Sequence, residues 1–109
     1  MATYTNISYA VKNVSTSGST LTTVASATTA AIASLIVSNT AASATITCDV
    51  YFTRSAVNYY LVKGATIPAG GALEVIQGNR VVLIASDALK VVSSAASSAD
   101  VVVSVLNAA

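Results

Sequence analysis

An all-β fold, a single antiparallel β-sandwich of about eight short strands, is what this sequence predicts. Three observations predict it. Apolar residues fall on alternate positions in several segments, which is the period of a half-buried strand. Turn-forming residues interrupt those segments every few positions. No segment holds a helical period over about ten residues. Two packed sheets need one apolar face per strand, and the alternating segments offer it. The sandwich is expected to be jelly-roll-like or immunoglobulin-like, with a small β-barrel as the runner-up.

In chain order, the first 20 residues predict a flexible N-terminal arm or edge strand, in which Ile7, Tyr9 and Val11 alternate within NISYAVK, followed by the link STSGST. Residues 21–109 predict the sandwich domain, beginning with the short strand LTTVA and the loop SATTAA. AIASLIVSN, Ala31 to Asn39, is rich in β-branched residues and reads as a strand. The clearest alternation is TITCDVYF, Thr45 to Phe52. Ile46, Cys48, Val50 and Phe52 fall on one face, and Thr45, Thr47, Asp49 and Tyr51 on the other. The small-residue stretch NTAASA between these two strands suggests a hairpin. VNYYLVKG is a further strand, and PAGG, Pro68 to Gly71, is a turn in which proline fixes φ and glycine supplies φ > 0. The strands ALEVIQ, RVVLIA and ALKVVS follow, separated by turn signals at Gly78-Asn79 and Ser86-Asp87. SSAASSAD is a low-complexity loop, and VVVSVL, Val101 to Leu106, closes the framework.

Charge is the unusual quantity. Only 8% of residues are charged and the net charge is +1, against about 25% charged in an average soluble domain. Lys12, Arg54, Lys63, Arg80 and Lys90 are scattered, so no basic cluster exists to replace the counterions of a nucleic acid. No run of about 20 predominantly apolar residues suggests a transmembrane helix. MATYTNISYAVKN has neither the basic start nor the apolar stretch of a secretory signal, and its Asn6-Ile7-Ser8 and Asn13-Val14-Ser15 triplets are read as chance sequons. A surface of Ala, Ser and Thr repels its own copies weakly. That suits a chain meant to associate.

Chemistry is sparse. There is no histidine, hence neither the commonest general base nor the commonest metal ligand. Cys48 alternates with Ile46 and Val50 and is expected to point into the core. Asp49 and Glu74 are expected on solvent faces, Asp87 in a turn and Asp100 at a strand start, with no spacing that pairs them for catalysis or metal binding. No catalytic, cofactor or metal residue is assigned. The candidate interface residues are Tyr51, Arg54, Asn58, Tyr59 and Tyr60, with Arg54 and Asn58 expected in the loop between two strands. Tyrosine and arginine are enriched at binding anchors. An exposed tyrosine platform would also stack on a sugar.

The segments TTAAIASLIVSNTAASATITCDVYF, YYLVKGATIPAGGALEVIQGNRVVLIASDALKVVSS and VVVSVL are together similar to small virion proteins of tailed bacteriophages, including cyanophages. Shared features are a hydrophobic strand ending in SN, a PAGG-like turn before a short L-x-V strand, and a VVL-x-A-(G/S)-D-x-L-x-V segment before a Val/Ser strand. The resemblance spans roughly residues 21 to 106. Ser86 stands where such chains commonly have Gly. The resemblance implies a non-enzymatic, multi-copy β-sandwich of the virion, made in the bacterial cytoplasm. A capsid decoration protein is the first expectation, and a neck or tail/fibre component is the alternative. Implied partners are its own copies and other virion proteins, such as the major capsid protein or neck and tail proteins. A carbohydrate- or host-surface-binding module is a further alternative.

Overall fold

The alternating core residues of the clearest strand share one buried face, and the rest of the molecule is built around such faces. The computed structural model describes residues 3–76 and 81–109. Among them are nine strands: β1 (Tyr4–Val11), β2 (Ser19–Thr23), β3 (Thr29–Asn39), β4 (Ile46–Arg54), β5 (Val57–Ile67), β6 (Ala72–Glu74), β7 (Val81–Leu83), β8 (Ala88–Ser93) and β9 (Ala99–Ala108). They form two antiparallel sheets. Sheet I has the order β1-β9-β3-β6, with β7 also paired to β3, and sheet II has the order β2-β8-β4-β5. The sandwich prediction holds, and the barrel does not form because the strands divide into two separate sheets. The Gly78-Asn79 turn and Arg80 lie outside the described residues.

One core fills the space between the sheets. Sheet I contributes Ile32, Leu35, Val37, Leu83, Val101, Val103 and Val105, and sheet II contributes Leu21, Ile46, Cys48, Val50, Ile67, Leu89 and Val91. In β9 the alternation is regular: Ala99, Val101, Val103 and Val105 are buried, while Val102 faces out. Burying each such aliphatic side chain contributes roughly 1.5–3 kcal/mol.

The expected hairpin of Ala31–Asn39 with Thr45–Phe52 is not made. Strand β3 has both of its edges occupied, by β9 on one side and by β6 and β7 on the other. The chain therefore leaves sheet I at Asn39 and enters sheet II at Ile46. Asn39 is buried and pins this crossing. Its Nδ2 donates to the carbonyls of Ala44 (2.8 Å) and Ile67 (3.0 Å), and its Oδ1 accepts from Ala41 N–H (2.9 Å). The true hairpin is β4–β5, closed by Ser55 and Ala56 at φ of 53° and 63°. Two left-handed central residues give the turn twist that matches the strands. Arg54 and Asn58, expected in that loop, are strand residues paired with Val57 and Thr53. A two-residue turn needs no more of the chain.

Two further turns use the residues the sequence marks. Gly71 N–H donates to Pro68 O at 2.9 Å, and Gly70 supplies φ of 73°. Proline thus opens the turn, and Gly71 serves space: a Cβ there would lie 3.1 Å from the Pro68 carbonyl oxygen. Ser86 adopts φ of 72° without glycine's freedom. The left-handed corner is held by its neighbours: Ser86 N–H bonds to Val24 O, and Asp87 N–H to Ile84 O.

Candidate interaction surfaces

The five candidate interface residues all lie on the β4–β5 hairpin, but cross-strand pairing distributes them over its two faces. Tyr51 stands opposite Tyr60, and Thr53 opposite Asn58, on the outer face of sheet II. Phe52 stands opposite Tyr59, and Arg54 opposite Val57, on the face continuous with the core. The Tyr51 and Tyr60 rings are 5.0 Å apart and tilted by 40°, and the Lys63 ammonium sits 4.7 Å above the Tyr60 ring. Phe52 and Tyr59 stack at 5.4 Å, with the Arg54 guanidinium 5.1 Å from the Phe52 ring centre. These are two aromatic clusters back to back, so the tyrosines do not form one continuous platform.

Arg54 is directed to a structural partner. Its Nε and Nη2 donate to the Asp87 carboxylate, the shortest contact being 2.6 Å, and Ile84 N–H donates to the same carboxylate at 2.9 Å. The Asp87 side chain is 1% exposed and that of Arg54 38%. The Arg54 hydrogen bond holds the Asp87 carboxyl below its ordinary range, ahead of the opposing effect of burial. Asp87 lies at the turn expected for it, and there it is a buried anchor. A charged residue between Leu83 and Leu89 was the available signal.

The remaining acids are also engaged locally. Asp100 accepts from Lys12 Nζ (2.9 Å) and Asn13 N–H (3.0 Å), and the backbone hydrogen bond is the first cause of its lowered pKa. Asp49 accepts from Gly64 N–H at 2.7 Å. Cys48 is buried, and burial raises its pKa, with neighbouring Asp49 adding to the effect. Such a thiol is a poor nucleophile. No group of three metal-ligating side chains occurs among the described residues, and no described helix is long and apolar enough to cross a membrane.

A second surface escaped sequence reasoning because it belongs to no single segment. On sheet I, the side chains facing away from the core are Tyr4, Asn6, Ser8 and Ala10 from β1, and Val102, Ser104, Leu106 and Ala108 from the following positions of β9. Ala31, Ser34 and Ile36 extend the face across β3, and Val82 across β7. Tyr4 is 68% exposed, and Ile36 and Val102, which are cross-strand partners, are both exposed. Among the described residues, charge enters this face at one end, at Glu74 and at Asp100 with its ion-pair partner Lys12. A shallow depression of roughly 240 Å³ lies beside β1, lined by Asn6, Ile7, Ser8, Ala33, Ser104 and Val105. It contains no ionisable side chain.

No protein-family model matches the chain, and no curated protein matches it. The fold is similar to solved structures of infectious bursal disease virus. The VP2 subviral particle aligns with 98% of this chain at 11% identity and a TM-score of 0.59, and the Gx strain virus with 99% at 12% identity and a TM-score of 0.43. The chain spans 32% and 37% of those chains, about a third of their length. At this identity the likeness is one of fold: a two-sheet antiparallel sandwich of the kind found in a viral particle protein.

Proposed function

We propose that this chain is a non-enzymatic structural protein of a virus particle, present in many copies and packed against its neighbours. The observation that carries the reading is the outer face of sheet I, four strands wide and, among the described residues, almost without charge. Such a face lacks the electrostatic repulsion that keeps monomers apart, and its exposed Tyr4, Ile36, Val82 and Val102 give apolar area to bury. The fold shared with the VP2 subviral particle supports the same role. Within that role, a bacteriophage capsid decoration protein is the finer reading, with a neck or tail/fibre component behind it. The phage assignment rests on the sequence resemblance alone. The natural partners are further copies and the shell, neck or tail proteins on which they sit.

Quantitative mass spectrometry of purified particles tests this proposal. The chain is expected at many copies per particle, and its absence from particles would reject the role. A glycan-binding module is the second reading, favoured by the Tyr51–Tyr60–Lys63 cluster on sheet II. Selective binding on a glycan array, lost in Tyr60→Ala, would establish it.

A further inference from the structure

Every sheet edge is a row of hydrogen-bonding groups that another chain can complete unless something blunts it. Among the described residues there are four such edges, and three are blunted. On the β5 edge of sheet II, Val62 pairs with Val50 while Tyr60 pairs with Tyr51, so Leu61 is extra. Ala65 pairs with Cys48, so Lys63 and Gly64 stand against Asp49 alone. These are two bulges in one strand, the second with Gly64 at φ of 65° and Lys63 beside it. The β2 edge is five residues long and shifts register between Thr20 and Thr22. Among the described residues, the β6 and β7 edge offers two short strands of three residues each.

The β1 edge has none of these devices. Tyr4 to Val11 pairs with Ala108 to Val101 in unbroken register, and β9 is its one strand partner among the described residues. The strand YTNISYAV has no charge, no proline and no glycine. Its core-side residues Ile7, Tyr9 and Val11 pack on the core yet stay half-exposed at the margin of the sandwich.

We propose that β1 pairs antiparallel with β1 of a second copy of this chain, joining two five-stranded sheets into one across a two-fold axis at Ile7. Antiparallel partners lie on the same side of a sheet, so a two-fold axis normal to it must match residues of equal parity. Centred on Ile7, Tyr4 meets Ala10, Thr5 meets Tyr9, Asn6 meets Ser8, and Ile7 meets its own copy. Each large side chain then faces a small or apolar one, and no like charges oppose. The pairing continues the charge-poor outer face of sheet I across both copies and covers the half-exposed Ile7 and Tyr9. This self-complementary register makes a second copy of β1 the partner. The setting rests on the multi-copy reading above, but the pairing can fail on its own.

The test uses light scattering and oxidative cross-linking of the whole chain. The wild type is expected at an even multiple of the chain mass. Asn6→Lys/Ser8→Lys sets lysines opposite one another across the axis, where like charges destabilise pairing. It is expected to halve the mass with unchanged circular dichroism, since both side chains are exposed. Ile7→Cys is expected to form a disulfide dimer, while Val57→Cys, exposed on the β5 edge, is not. A monomeric wild type, an unchanged mass in the lysine variant, or equal cross-linking of the two cysteine variants would overturn the pairing. If the chain is nevertheless abundant in purified particles, the virion role stands and only the β1 contact falls.

Discussion

The two sheets share one core but present opposite surfaces to the outside. Sheet II carries tyrosines, lysines and an aspartate outward: Tyr51 lies between Lys90 and Tyr60, Lys63 covers Tyr60, and Asp49 holds the Gly64 bulge. Its long edge is kinked twice. Sheet I carries mostly alanine, serine and aliphatic residues outward, with Tyr4 and Asn6 on β1 and with Glu74 and Asp100 at one end, and its β1 edge is straight. The inner faces differ far less, with valine, leucine and isoleucine in both. Among the described residues, the outward charges of sheet II therefore lie amid its tyrosines, whereas those of sheet I gather at one end. One side of the sandwich has the features of a solvated surface and the other those of a contact surface.

If the inner faces form one core, removing a side chain from either should cost the same. Leu35 of sheet I and Leu89 of sheet II are both fully buried. Leu35→Ala and Leu89→Ala are each expected to lose about 2–5 kcal/mol of unfolding free energy, measured by urea denaturation. A loss confined to one of them would show that the sheets are unequally coupled.

The next largest effect is expected at Asp87, which ties sheet II to the corner before β8. Asp87→Ala removes an acceptor for Arg54 and Ile84 N–H, and should cost about 2–3 kcal/mol. The effect depends on pH. Because the folded carboxyl lies below its ordinary value of 3.8, its contribution is complete above that value and is lost as pH falls through the lower folded value. Thermal unfolding midpoints followed from pH 7 into acid should therefore drop more steeply for the wild type than for Asp87→Asn. The acid response of Asp100, also lowered, is common to both proteins. Parallel curves would remove the ion pair from the stability account.

The smallest effect concerns the blunted edge. Gly64 sits at φ of 65° with open space around its Cα, so Gly64→Ala meets only the backbone penalty of about 1–2 kcal/mol. If the Gly64 bulge also protects the β5 edge, this variant should aggregate faster at equal concentration, as read by turbidity. A stable, soluble variant would assign that protection to Lys63 and the Leu61 bulge.

The all-β class, the core face of β4, the inward Cys48 and the turns at Pro68–Gly71 and Ser86-Asp87 were legible in the sequence. Each depends on side-chain period or on local backbone conformation, which neighbouring residues determine. Strand partnership was not legible. NTAASA is a plausible hairpin loop, yet β3 is already flanked on both edges and Asn39 turns the chain to the other sheet. The clustering of Tyr51, Tyr59 and Tyr60 in sequence was visible, but their division over two faces follows from the cross-strand register. The charge-poor composition by itself fixed how little electrostatic repulsion the chain can muster. Only the tertiary structure decided where that deficit falls, because the outer face of sheet I is assembled from β1, β3, β7 and β9, strands far apart in the chain that only long-range pairing brings side by side.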